Sequence, residues 1–100
     1  MFSVYILHSA QFDKYYIGST DDPERRLKEH NTSIYHTFTA KYRPWILAAV
    51  FPVGETRNIA VRYERKLKSL KSRKIITELI QHNGDVSFFT QLVRVPTCRD

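Results

Sequence analysis

The chain is poor in the residues that build covalent or metal-centred sites. Its 100 residues include one cysteine, Cys98, so neither a disulfide framework nor a four-ligand thiolate zinc site can be built from it. His8, His30, His36 and His82 show no HExxH-type ligand spacing. No apolar run approaches the ~20 residues that cross a bilayer, so no membrane span is expected. Residues 1–7 lack the basic region and cleavage site of a signal peptide, and a reducing cytoplasm is the expected location. Acidic residues are few and scattered. Asp13, Asp21 and Asp22 fall in loops or caps, and Asp85 and Asp100 fall near the C-terminus. A two-metal centre needs more convergent carboxylates than these. There is no internal repeat and no low-complexity segment.

What is abundant is positive charge. Sixteen Lys and Arg face ten Asp and Glu, for a net charge of +6, in a chain that is 42% hydrophobic. That composition describes one globular domain with a modest core. Its charge attracts polyanions, and charge alone does not choose between nucleic acid and an anionic lipid surface.

Periodicity predicts an α+β fold. Residues 3–8 and 15–19 are rich in β-branched and aromatic residues and read as an antiparallel hairpin. Asp22 and Pro23 suit the cap and first position of a helix over residues 23–30, with Asn31 as its stop. Residues 32–43 read as a polar loop whose His36, Thr39 and Lys41 could contact a ligand. Residues 45–53 form a nearly continuous apolar run, expected as a central strand covered on both faces. Ile59, Tyr63, Leu67 and Leu70 make one stripe of a helix over residues 56–70, and Ser72 caps another over 74–81 that ends at Asn83-Gly84. The expected order is ββαβαα, a small three-stranded, mostly antiparallel sheet flanked by helices. The domain is expected over residues 1–84, with residues 85–100 as a tail that packs on it or extends it as an edge strand. Phe88 and Phe89 in that tail could also pair chains.

Three features could carry chemistry. Strand alternation places Tyr5 on one face with Ser3 and Leu7, and Tyr16 on one face with Gly18. If those faces coincide, two phenols stand together, and Gly18 leaves room for a ligand beside Tyr16. Taken alone, strand tyrosines are ordinary β-formers. Arg26 and His30 are four apart on one helix face, expected on its flank near the sheet edge. A guanidinium can grip a phosphate through two parallel hydrogen bonds, and an imidazole can move a proton near neutral pH. Residues 62–74 hold seven basic residues, among them Arg62, Arg65, Lys68, Lys71, Arg73 and Lys74, and one acid, Glu64. Glu64 could pair with Lys68 or hold a divalent cation together with water and substrate phosphate.

The combination resembles the GIY-YIG nuclease family, and in particular its small stand-alone members. The family's first motif falls on Ser3-Val4-Tyr5 and its second on Tyr16-Ile17-Gly18. Ser19-Thr20 follow, then Arg26 within Glu24-Arg25-Arg26-Leu27-Lys28-Glu29-His30-Asn31, Glu64 within Ala60-Val61-Arg62-Tyr63-Glu64, and Leu70-Lys71-Ser72-Arg73-Lys74. Ser3 stands where the name-giving glycine would be, and His30 stands where other members have Tyr. The resemblance implies metal-dependent phosphodiester hydrolysis, in DNA foremost. Tyr5, Tyr16, Arg26, His30 and Glu64 would be catalytic and line one concave surface. Arg26 would bind phosphate, Glu64 would hold Mg²⁺ or Mn²⁺, and Gly18 would keep the pocket open. Tyr5, Tyr16 and His30 remain alternatives for the base, since a phenol of pKa ~10 needs perturbation or metal help near pH 7. The basic segment from Arg62 to Lys74 would dock nucleic acid, and a protein partner or the substrate's shape would supply specificity. The alternative is a nucleic-acid-binding module without efficient catalysis.

Overall fold

A computed structural model of the chain describes residues 1–32 and 37–95. His36, Tyr35 and Cys98 lie outside the described residues. The elements are β1 (Phe2–Ser9), β2 (Lys14–Thr20), α1 (Pro23–Thr32), α2 (Thr37–Lys41), β3 (Ile46–Gly54), α3 (Arg57–Leu70), α4 (Arg73–Gln81) and α5 (Val86–Leu92). The three strands form one antiparallel sheet in the order β2-β1-β3, an α+β architecture. Among the described residues no helix is long and apolar enough to cross a membrane.

The sheet carries a hydrophobic cluster on each face, because β1 is apolar at consecutive positions and not at alternate ones. Val4 and Ile6 point to one side and join Ile17, Ala49, Phe51, Leu67, Leu79, Phe89 and Val93. Tyr5 and Leu7 point to the other and join Trp45, with Tyr16, Leu27, Tyr42, Leu47 and Val50 packed around them. Helices α3, α4 and α5 therefore cover the first face, while α1 and the α2–β3 connection cover the second.

The central strand is β1, and the expectation that residues 45–53 form it is corrected. β3 is an edge strand whose apolar run reflects two packed faces, with Ile46 58% exposed at its start. Its edge is managed locally. Pro52 has no N–H to leave unpaired, and the Val50 N–H donates to Asn83 Oδ1 at 2.8 Å. Register shifts near Ser3 and Leu7 interrupt the β1–β3 ladder.

Helix ends mostly follow their caps. Asp22 Oδ1 accepts from Arg25 N–H, Thr56 Oγ1 from Ile59 N–H and Ser72 Oγ from Ile75 N–H. Asn31 does not stop α1, which runs to Thr32. Its side chain instead clasps the Trp45 backbone, donating to the carbonyl at 3.0 Å and accepting from the N–H at 2.7 Å. Part of the expected polar loop is a short helix, α2, and Thr39 on it accepts the Trp45 indole N–H at 2.7 Å.

Residues 86–92 form a helix and not an edge strand. Asp85 caps α5, and Phe89 is fully buried, stacked on Phe51 at 4.6 Å between ring centroids. That burial leaves Phe89 unavailable for pairing chains. Phe89→Ala is therefore expected to destabilise the fold by about 3–5 kcal/mol, read as a lower urea midpoint with an unchanged m-value. A midpoint like that of the parent chain would show that α5 is not part of the core.

Candidate active site

The hairpin register brings the two phenols onto one face. Tyr5 pairs with Gly18 and Leu7 with Tyr16, and cross-strand partners share a face. The Tyr5 and Tyr16 ring centroids lie 6.4 Å apart. Gly18 does not open space for a ligand, as its lack of a side chain had implied. A Cβ at residue 18 would collide with the Tyr5 hydroxyl and the ring carbons beside it. Gly18 is the floor on which the Tyr5 phenol lies.

His30 is fully buried, which corrects its expected place on the helix flank near the sheet edge. Leu27 alone gives α1 too little apolar surface, and His30 fills the inward position one turn later. Its Nε2 shares a 2.9 Å hydrogen bond with the Tyr5 hydroxyl, and its ring lies 4.6 Å from that of Tyr16. Arg43 Nε donates to the His30 carbonyl at 2.8 Å, tying the end of α1 to the chain entering β3.

Arg26, one turn before His30, is partly exposed and makes a short hydrogen bond to Glu29. Burial works against its charge, but bonding to Glu29 and to Tyr5 outweighs this and raises its pKa. The guanidinium stays charged and is presented beside the Tyr5–His30 pair. Burial pushes the Tyr5 phenol up to about 12. The Arg26 bond and charge oppose that rise, and the nearby Tyr16 and Glu64 add to it.

Glu64 reaches the site from the other face. Its side chain is 19% exposed. Oε1 accepts from Ser19 Oγ at 2.6 Å and Oε2 from Lys68 Nζ at 2.8 Å. Ser19 pairs with Val4 and so points toward α3. The Lys68 ammonium also sits 5.7 Å from the centre of the Tyr16 ring, which links the two faces around the outer edge of β2. Tyr5, Tyr16, Arg26 and His30 thus form one cluster on one face, and Glu64 stands across the edge. The five do not line a single face of the sheet. Sequence reasoning gave Ser19 and Glu29 no part in the site, and gave Asn31 only that of a helix stop. Their signal was present only as polar residues next to motif positions.

The basic residues divide in two. Lys68, Lys71 and Arg73 join Lys14 around a groove of about 410 Å³ beside Tyr15. Arg62 and Arg65 line a separate hollow with Lys66 and Val95. Lys74 is exposed in the first turn of α4. Arg73 is braced by Asp13 and lies 4.8 Å from the centre of the Tyr15 ring.

Among the described residues no group of three or more His, Cys, Asp or Glu could hold a metal ion. The donor set nonetheless fits Mg²⁺, which keeps most of its waters and binds through one or two carboxylates plus substrate phosphate. One partly exposed carboxylate with a hydroxyl beside it meets that need.

An α+β domain with paired tyrosines, an arginine and a lone glutamate about one sheet edge defines a class. Residues 1–76 match the GIY-YIG catalytic domain, and the chain belongs to the GIY-YIG family. Nucleases of this family depend on a divalent metal. The chain is 34% identical over 85 residues to the structure-specific endonuclease subunit SLX1 of Debaryomyces hansenii, covering 78% of this chain and 25% of that protein. It is 35% identical over 78 residues to the subunit of the same name from Meyerozyma guilliermondii, covering 73% and 26%. The chain thus spans about a quarter of the length of the curated relatives it matches.

The Tyr5 shift sets a pH dependence. The folded pKa lies above the unfolded value of 10.0, so the folded state holds a proton that the unfolded state has lost between pH 10 and 12. The associated stability is complete below pH 10 and disappears as pH rises through about 12. Spectrophotometric titration should show a late tyrosine transition that Tyr5→Phe removes. A Tyr5→Phe variant with the parent's late titration would refute the assignment.

Proposed function

We propose that this chain is the catalytic domain of a divalent-metal-dependent endonuclease that hydrolyses phosphodiester bonds, with DNA as the first candidate substrate. The observation that carries this reading is the Arg26 guanidinium beside the buried Tyr5–His30 pair, with Glu64 facing them across the β2 edge. The name of the similar proteins, structure-specific endonuclease subunit, supports the same activity. It also supports a protein partner that completes or directs the enzyme.

Hydrolysis adds a water oxygen to phosphorus, breaks one P–O bond and passes a proton to the leaving oxygen. Arg26 binds the phosphate and stabilises charge on its non-bridging oxygens. Mg²⁺ or Mn²⁺ bound through Glu64 would supply further positive charge and lower the pKa of water. Ser19 fixes one Glu64 oxygen, which orients the carboxylate. Tyr5 is 1% exposed with a pKa near 12, so at neutral pH it keeps its proton and serves as a hydrogen-bonding support. Tyr16 is less buried, and its ring lies beside those of both Tyr5 and His30. We assign it the contact with the attacking water, with His30 as its buried neighbour. Lys68, Lys71 and Arg73, with Lys14, form the docking groove for the phosphate backbone, and Arg62, Arg65 and Lys74 add longer-range attraction.

Purified protein should cut nicked, branched, single-stranded or duplex DNA with Mg²⁺ or Mn²⁺ and not with EDTA. Arg26→Ala should lower the rate by about 10²–10³, as loss of one preorganised charge stabiliser does. Glu64→Ala should cost at least as much, and Tyr16→Phe more than Tyr5→Phe. Cleavage no greater than that of the Glu64→Ala control on every substrate would overturn the assignment.

A further inference from the structure

We propose that Phe12, Tyr42 and Phe38, with Lys14 and Lys41, form a stacking platform for unpaired bases of the strand held at the active site. This rests on the phosphodiesterase reading above and specifies the form of its substrate. Phe12, in the turn between β1 and β2, is 42% exposed, and Phe38, on α2, is 49% exposed. Single exposed aromatics are common on protein surfaces, but these two converge on one ring. Phe12 lies 5.5 Å from Tyr42 and Phe38 lies 5.1 Å from it, both edge to face.

The row does not end there. Phe38 lies 6.4 Å from Tyr16, whose ring in turn lies 4.6 Å from that of His30, tilted against it. Aromatic rings therefore run without a break from the tip of the hairpin to the candidate catalytic phenol. The Lys14 and Lys41 ammonium groups lie 5.3 and 5.8 Å from the centre of the Tyr42 ring. Exposed rings interleaved with cations suit a nucleic-acid strand, whose bases stack on the rings while its phosphates meet the lysines. Bases inside a duplex are already stacked on each other and present only their edges. Ring faces are open to bases that have left the helix, as in flaps, forks and single strands. A strand whose scissile phosphate sits at Arg26 would thus lay neighbouring unpaired bases along Phe38, Tyr42 and Phe12.

The test is binding by fluorescence anisotropy in EDTA, where metal-dependent cutting does not interfere. The probes are a labelled oligothymidylate and a blunt duplex of equal length. Phe12→Ala and Phe38→Ala should each lower the ratio of single-strand to duplex affinity about tenfold, in the range of one lost base–aromatic stack. Phe38→Trp should restore the ratio, which a merely misfolded variant would not allow. An unchanged ratio in both alanine variants, or a parent chain that does not bind the single strand, would overturn the platform. Light scattering that shows a dimer abolished by Phe38→Ala would also overturn it, in favour of a second copy of this chain. Cleavage is scored separately on the parent chain. Ring-dependent single-strand binding without Glu64-dependent cutting would sink the phosphodiesterase reading and spare the platform. Glu64-dependent cutting with an unchanged affinity ratio would do the reverse.

Discussion

The phenol of Tyr5 crosses the sheet over Gly18, its antiparallel partner, in volume that any Cβ at residue 18 would occupy. This contact decides where the hydroxyl can go. With the ring laid across β2, the hydroxyl meets His30 Nε2 and lies within reach of Arg26. Burial then keeps the phenol protonated, so the pair acts as a fixed hydrogen-bonding support. The positions of α1, of the Arg26 side chain and of the Tyr16 ring all follow from this fit. A glycine in the middle of a strand costs local stability, and here it is offset by a buried polar pair that would otherwise have no place.

Strand β2 delivers residues to both sides of the sheet, and its edge position makes that useful. Tyr16 and Gly18 face α1, whereas Ile17 and Ser19 face α3. In a central strand those two sets would be separated by neighbouring strands and two packed cores. At an edge, a long side chain such as Lys68 can bond to Glu64 on one side and lie beside Tyr16 on the other. The candidate site is therefore a rim, and a phosphodiester lying along it can meet the guanidinium and the carboxylate from opposite sides.

The sheet, the caps and the helical stripes were legible because each is written in local periodicity or a single capping residue. Asp22 and Ser72 cap as their chemistry predicts, and α3 buries Leu67 of its expected stripe, with Tyr63 and Leu70 packed against the core. The identity of the central strand was not legible. An apolar run over residues 45–53 reports two covered faces, and an edge strand with helices on both faces reads the same way. The role of Gly18 was misjudged because sequence shows the missing side chain and not the neighbour that fills its place. His30 was placed on a flank because helical spacing sets it on one face with Arg26, while the demand for a further inward residue on a helix poor in apolar side chains came from tertiary packing. The site residues were legible mainly as an ordered set of motif positions. The Glu64–Lys68 pair was legible from helical spacing, whereas the partners Ser19 and Glu29 become apparent only when the hydrogen bonds can be traced.

The central claim is that the two sides of the β2 edge act on one phosphodiester bond. A double-mutant cycle on the cleavage rate tests it most directly, because groups that act as a unit in one transition state show strongly non-additive losses. The account predicts that the double variant Arg26→Ala/Glu64→Ala is about as slow as the slower single variant. A double variant whose loss equals the product of the two single losses would contradict it and mean that Arg26 and Glu64 serve separate steps.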